Sequence, residues 1–237
     1  MIYFFGDTHG HFRHVLEIVS RDRPAAIVFL GDLQAQRPLE AELEFILGMT
    51  EVWFIHGNHD TDSDADYDHL FGSALADRNL HGRVALVDGM RIAGLGGVFR
   101  GQVWTPPVGW LYESPEELTA RCGAGNRWRE GLPRKYRSSI FPADYFRLVS
   151  QRADILVTHE APSSHPHGFE AIDELARSLG VTKAFHGRHH DRLDYSRHRT
   201  RLGFEAFGVG FCGVTCVSGS CIQPGKFDNG MRLANPS

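Results

Sequence analysis

The chain has 237 residues, of which 42% are apolar, with 25 Lys and Arg against 29 Asp and Glu and a net charge of −4. That length supports one sizeable core, and the interspersed signs argue against a dedicated nucleic-acid-binding surface, although nucleic acid stays open as a substrate. No run approaches the ~18 consecutive apolar residues of a membrane span, and "MIYFFGDTHG" lacks the basic and apolar regions of a leader. A cytoplasmic protein is therefore expected. The four cysteines, Cys122, Cys212, Cys216 and Cys221, lack paired C-x-x-C spacing and read as reduced thiols rather than as a zinc cluster.

In chain order, the first predicted strand lies in "IYFFGDTHGH", and behind it Phe12, Val15, Leu16 and Val19 share one helix face. A second strand in "AIVFLGDL" precedes a helical pattern at Leu39, Leu43, Ile46 and Leu47. The third, in "VWFIHGNHD", runs into the acidic stretch Asp60 to Asp68. That stretch offers D-x-D-x-D, but Ala65 and Phe71 stand where a calcium loop needs Gly and Glu, so it reads as a solvated helix start. "RVALVDG" and "MRIAGLGG" add strands of an expected second sheet. Residues 101–141, with several Pro, Trp and Arg, read as an insertion with short helices that caps a site. His165 and His167 in "APSSHPHG" either line a substrate entrance or decorate a loop, and the loop is the preferred reading. A strand in "DILVTHEAP", a helix carrying Ile172, Leu175, Ala176 and Leu179, a strand in "AFHGRHHD", and further second-sheet strands in "GFEAFGVGFCGVTCVSG" complete the chain. We expect a single domain over 1–237.

Strands alternating with helices predict an α/β layered fold, whose ligands collect beyond the carboxyl ends of the strands. Asp7, His9, Asp32, Asn58, His59, His159, His186, His189 and His190 all follow strand ends. Carboxylate oxygens with imidazoles suit a divalent transition metal, and a further carboxylate can bridge two ions. The glycines of "GDTHG", "GDL" and "HGN" read as supplying positive φ at sharp turns. Arg13, Arg37 and Arg100 are candidates for clamping a phosphate, with Arg100, after "GLGGVF", the best placed.

Taken in order, "GDTHG", "GDL", "GNHD", "THE" and "HGRHH" resemble the five-part signature of the calcineurin-like metallophosphoesterase superfamily. The resemblance implies a four-layer α/β fold, a double β-sandwich flanked by helices, and hydrolysis of phosphate esters by a metal-activated hydroxide at a dinuclear centre. It implies Asp7, His9 and His190 at a first metal, Asp32 as the bridge, Asn58 and His159 at a second, and His59 as the general acid beside the leaving oxygen. Asp60 would orient or charge-stabilise that imidazole. Mn2+ is the expected ion, with Fe, Zn and Ni as alternatives. A phosphomonoesterase is the leading reading, acting on a phosphorylated small molecule, a nucleotide or a phosphoprotein, since "GDTHG" resembles the opening motif of the phosphoprotein phosphatase branch. "GDLQAQRP" and "GNHD" depart from that branch toward the phosphodiesterases and nucleases, so a phosphodiesterase or nucleotide hydrolase is the alternative. A catalytically weakened scaffold of the same fold is a third.

The fifth family motif is G-H-x-H, and here Gly187, Arg188, His189 and His190 fill its places. A guanidinium has no lone pair to give and no accessible neutral form. Three arrangements follow: His189 or His186 moves into the vacated place, water fills it and the second metal binds weakly, or Arg188 itself contacts substrate phosphate. Weak second-metal occupancy is the expectation.

Overall fold

The structure, a computed structural model, describes residues 1–228. Its strands are β1 Ile2–Phe5, β2 Ala26–Leu30, β3 Glu51–Ile55, β4 Arg83–Val87, β5 Met90–Leu95, β6 Trp104–Thr105, β7 Gly109–Trp110, β8 Ile155–Thr158, β9 Lys183–His186, β10 Glu205–Gly208, β11 Val214–Cys216 and β12 Cys221–Gln223. The helices are α1 Arg13–Asp22, α2 Leu39–Glu42, α3 Asp64–Phe71, α4 Pro115–Arg121, α5 Pro142–Val149, α6 Glu170–Leu179 and α7 Arg199–Leu202. One five-stranded sheet has the order β12-β11-β1-β2-β3 and the other β10-β9-β8-β5-β4, while β6 and β7 form a hairpin.

The alternation of side chains along a strand builds the layers. In β1, Ile2 and Phe4 point into a core between the two sheets, whereas Tyr3 and Phe5 point into a second core shared with Val15, Ile18 and Val19 of α1. Val157 of β8 joins the inter-sheet core, while its neighbour Leu156 packs with Leu148 of α5 and with Ile172, Leu175 and Leu179 of α6. Phe4 and Phe185 stack across the sandwich, with centroids 3.9 Å apart. The result is a double β-sandwich flanked on each side by helices.

Two expectations change. The five motif-bearing strands do not share a sheet: β1, β2 and β3 run parallel in one, and β8 and β9 in the other. Residues from "RVALVDG" and "MRIAGLGG" form β4 and β5 in the sheet of β8, while "VTC" returns antiparallel to β1, so the runs expected to make a second sheet are divided between the two. Each motif-bearing run is apolar on both faces because both faces are covered, and such a run does not reveal which sheet it joins. The helical pattern from Leu39 to Leu47 also breaks. It stops after Glu42 and resumes as a 3-10 turn at Glu44–Ile46, which still buries Leu39, Leu43 and Ile46 but leaves Leu47 exposed.

Residues 101–141 contribute the hairpin and α4. Trp104, Leu118 and Leu132 pack into the core beneath α5 and α6, and Arg129 and Arg134 pair with Asp68 and Asp64 of α3. The four cysteines are free, and no helix among the described residues is long and apolar enough to cross a membrane.

Candidate active site

The motif loops leave the carboxyl ends of β1, β2 and β3 in one sheet and of β8 and β9 in the other, so they converge at one end of the sandwich. They are stitched through the backbone: His9 N–H donates to the Asp32 carbonyl at 2.9 Å, and Gly10 N–H donates to that of Leu33 at 2.8 Å. A Cβ on Gly57 would lie 2.2 Å from Asp32 Oδ1, and one on Gly187 would lie 2.7 Å from Asp7 Oδ1, so these glycines serve close approach rather than positive φ. Gly10 at φ 76° and Gly31 at 101° do take the positive φ expected of the motif glycines, and the left-handed conformation falls on working residues as well: His9 at φ 43°, Asp32 at 49°, Arg188 at 72° and His190 at 59°. Such backbone persists where surrounding contacts over-determine it, and it is common at functional sites.

Two donor groups share Asp32. His9, Asp32 and His190 form one, and Asp7, Asp32 and His159 the other, with the ligand atoms of each within 4.8 Å of one another. Hydrogen bonds on the far ring nitrogens aim the imidazoles. His9 Nδ1 meets Gln34 Oε1 at 2.5 Å and His159 Nδ1 meets the Leu30 carbonyl at 2.8 Å, so each turns Nε2 inward, as metal-binding histidines do. His9 Nε2 then faces His190 Nε2 at 3.0 Å. Both oxygens of buried Asp7 and Nε2 of buried His159 lack a hydrogen-bond partner. Converging lone pairs of this kind fit a divalent cation held by Asp7, His9, Asp32 and His190.

Burial raises the Asp7 carboxyl to about 7, against the opposing pull of His159. Burial works against charge on His159, but Asp32 and Asp7 outweigh it and raise the imidazole to about 9. For Asp32, burial is overcome by His159 and by the His59 N–H bond of 2.8 Å, which hold it below the usual carboxylate range.

His59 sits at the rim, with its Nδ1 2.6 Å from Asp62 Oδ2. Burial disfavours its charge, yet Asp62 and Asp32 raise its pKa above the ordinary value. Asp60 does not touch this ring, contrary to the expectation that it orients the imidazole. It is buried and accepts from Gln34 N–H at 2.9 Å and Gly57 N–H at 2.8 Å, tying two motif loops together. The 3-10 turn at His59–Thr61 brings the third residue beyond His59 back onto its ring, so Asp62 takes that place.

The opposite corner is built around Arg188. Its Nη1 donates to Asn58 Oδ1 at 3.1 Å, and its Nε lies 3.2 Å from Oε2 of Glu160, a carboxylate only 1% exposed. Asn58 therefore spends its expected ligand oxygen on a guanidinium. Neither other histidine of the stretch fills the place: His186 is buried against Tyr195 Oη and the Gly187 carbonyl, and His189 stacks on His165 with centroids 3.8 Å apart. The residues fit a first ion, whereas a second would have only Asp7, Asp32 and His159 to hold it, without the oxygen that Asn58 gives to Arg188.

An open cleft of about 560 Å³ covers both corners, and His167, Phe169 and His189 form one wall. His167 thus borders the site although its sequence context reads as loop. Arg100 does not line this cleft. It is half-buried behind Arg188, with its Nη2 donating to Ser138 Oγ at 3.1 Å, and burial and Arg188 both lower its pKa. Arg13 and Arg37 are exposed and pair with Glu17 and Glu42. The 101–141 segment walls a separate cleft with His56, Tyr67 and His81, and reaches the site through Ser138.

Sequence reasoning missed Gln34, Asp62 and Glu160. Only Asp62 had a local signal, three residues after His59 on a tight turn. Gln34 pairs across 25 positions, and the Arg188–Glu160 pair closes only when β8 and β9 align.

A family model for calcineurin-like phosphoesterases matches residues 1–191. The chain is 41% identical over 222 residues to an uncharacterised protein of Haemophilus influenzae, covering 94% of this chain and 96% of that one. The crystal structure of TT1561 from Thermus thermophilus superposes with a TM-score of 0.58 at 14% identity, covering 94% of this chain and 98% of that one. This chain belongs to the calcineurin-like phosphoesterase family. It is a metal-dependent phosphoric ester hydrolase.

Proposed function

We propose that the chain hydrolyses phosphomonoesters with His59 as the general acid. The observation that carries this reading is the pairing of His59 with Asp62 at the rim of a cleft lined by Asp32 and His190, two members of the donor cluster that also holds Asp7 and His9. Asp7, His9, Asp32 and His190 would hold a divalent ion, Mn2+ being the one we assign first, which when bound would supply Lewis acidity toward a phosphoryl oxygen and acidify water at neutral pH. Asp62 accepts a hydrogen bond from His59 Nδ1–H and favours the imidazolium, whose Nε2–H protonates the departing alkoxide. Asp32 receives the His59 backbone N–H, which fixes the acid relative to the donor group. Asp60 sets the spacing of the loops that carry Asp32 and His59.

Diester hydrolysis is a second reading, favoured by the open cleft and its ring-bearing wall of His167, Phe169 and His189, which leaves room for a second ester substituent. Steady-state assays on an aryl phosphomonoester and the matching diester, with metal content measured on the same samples, separate the two. A kcat/KM larger for the monoester supports the proposal, and a larger value for the diester overturns it in favour of the second reading.

A further inference from the structure

We propose that Arg188, seated by Glu160, replaces the second metal ion: the chain holds one divalent cation tightly, and the guanidinium supplies the second positive charge and binds the substrate's phosphoryl oxygens. The inference rests on the phosphoester reading above for its substrate, but its cation count stands apart from turnover.

A second ion in this corner would draw on Asp32, His159 and Asn58. Asn58 Oδ1 already accepts from Arg188 Nη1, and a guanidinium beside a dication adds repulsion while contributing no lone pair. Glu160 shows that the guanidinium is seated rather than accidental. Its Oε1 accepts the Phe99 N–H at 3.0 Å, which fixes the carboxylate, and its Oε2 faces Arg188 Nε. A buried carboxylate of this kind requires a partner charge. With Nε on Glu160 and Nη1 on Asn58, Arg188 still has unused donors, and it borders the cleft that also holds His59 and Asp32. Planar N–H pairs of this sort match phosphate oxygens. Arg188 is therefore a substrate-binding residue, and Glu160 is a positioning residue that acts through it.

The test is made on the full chain, stripped with chelator, reloaded with excess Mn2+ and gel-filtered. Metal is counted by elemental analysis, and the electron paramagnetic resonance spectrum distinguishes an isolated Mn2+ from an exchange-coupled pair. The wild type is expected to retain one ion per chain with an isolated signal. Arg188→His, which restores an imidazole, is expected to retain two with a coupled signal. Because that variant leaves Glu160 unpaired, Arg188→His with Glu160→Gln is measured beside it, and circular dichroism checks the fold of each. Two retained, coupled ions in the wild type overturn the proposal, as does a folded double variant that still retains one. Inorganic phosphate binding to the Mn2+-loaded protein, measured by calorimetry, reads the second half. Arg188→Gln is expected to weaken it about tenfold or more. Glu160→Gln is expected to weaken it less, and to raise KM more than it lowers kcat. Unchanged phosphate affinity in Arg188→Gln overturns the assignment of Arg188 to substrate. If neither ester is hydrolysed but the ion counts come out as expected, the functional reading fails while the cation replacement stands.

Discussion

The two corners of the site are made by the same architecture and end in opposite chemistry. At one, the loops after β1, β2 and β9 bring Asp7, His9, Asp32 and His190 together with lone pairs converging and no arginine or lysine among them. At the other, the loops after β3, β8 and β9 bring Asn58, Glu160 and Arg188 together with the cation already covalently part of the chain. A single side chain separates an ion-binding corner from a self-neutralised one. The fold tolerates both because the loops are held by backbone contacts such as His9 N–H to the Asp32 carbonyl, not by the ion alone.

The sharpest break in this comparison comes from the first corner. Asp7→Asn is expected to abolish Mn2+ retention and to lower kcat/KM by ~10³-fold or more, since the ion's charge stabilisation is worth several kcal/mol; elemental analysis and kinetics on the same sample check it. His59→Ala is expected to lower kcat by ~10²–10⁴-fold with Mn2+ content unchanged, the mark of proton transfer rather than ligation. Loss of metal in that variant would move His59 into the first corner. Asp62→Asn is expected to lower kcat about tenfold with little change in KM, because it disturbs the proton's placement and not the substrate's seat. Asp60→Asn should weaken the stitching of the loops and lower thermal stability, and a loss of turnover at full stability would return Asp60 to the role of orienting His59.

The smallest effect lies outside both corners. His14, in the first turn of α1, packs against Phe5, and burial holds its imidazole down to about 4. The unfolded chain, with the ordinary His value of ~6.5, therefore takes up a proton first as pH falls. Its contribution to stability is complete above pH ~6.5 and is lost progressively toward pH ~4, with a slope below the ~1.4 kcal/mol per pH unit of one fully linked proton. Denaturant titrations of wild type and His14→Leu across that range should differ in slope, the variant losing less stability as pH falls; identical slopes would remove His14 from the acid response.

Much of this was legible in the sequence, for a physical reason. Apolar runs ending in Asp, Asn or His mark strands that deliver polar groups to one edge, so the α/β layers and the ring of donors from Asp7 to His190 could be read residue by residue. Arg188 was legible as a conflict, because a guanidinium cannot ligate whatever surrounds it. What it was paired with was not. Glu160 stands next to His159 with nothing local to connect it to a residue 28 positions away, and the division of the motif strands between two sheets is invisible in runs that are apolar on both faces. Asp60 is adjacent to His59 in sequence without touching its ring, because the tight turn carries its side chain into the backbone N–H groups of Gln34 and Gly57.

The most direct measurement is a crystal structure of the Mn2+-loaded protein with anomalous diffraction data collected at the manganese edge. One anomalous peak per chain among Asp7, His9, Asp32 and His190, with Arg188 still on Asn58 and Glu160, is the result expected. A second peak of comparable height beside Asn58 and His159, with Arg188 displaced, would contradict the account.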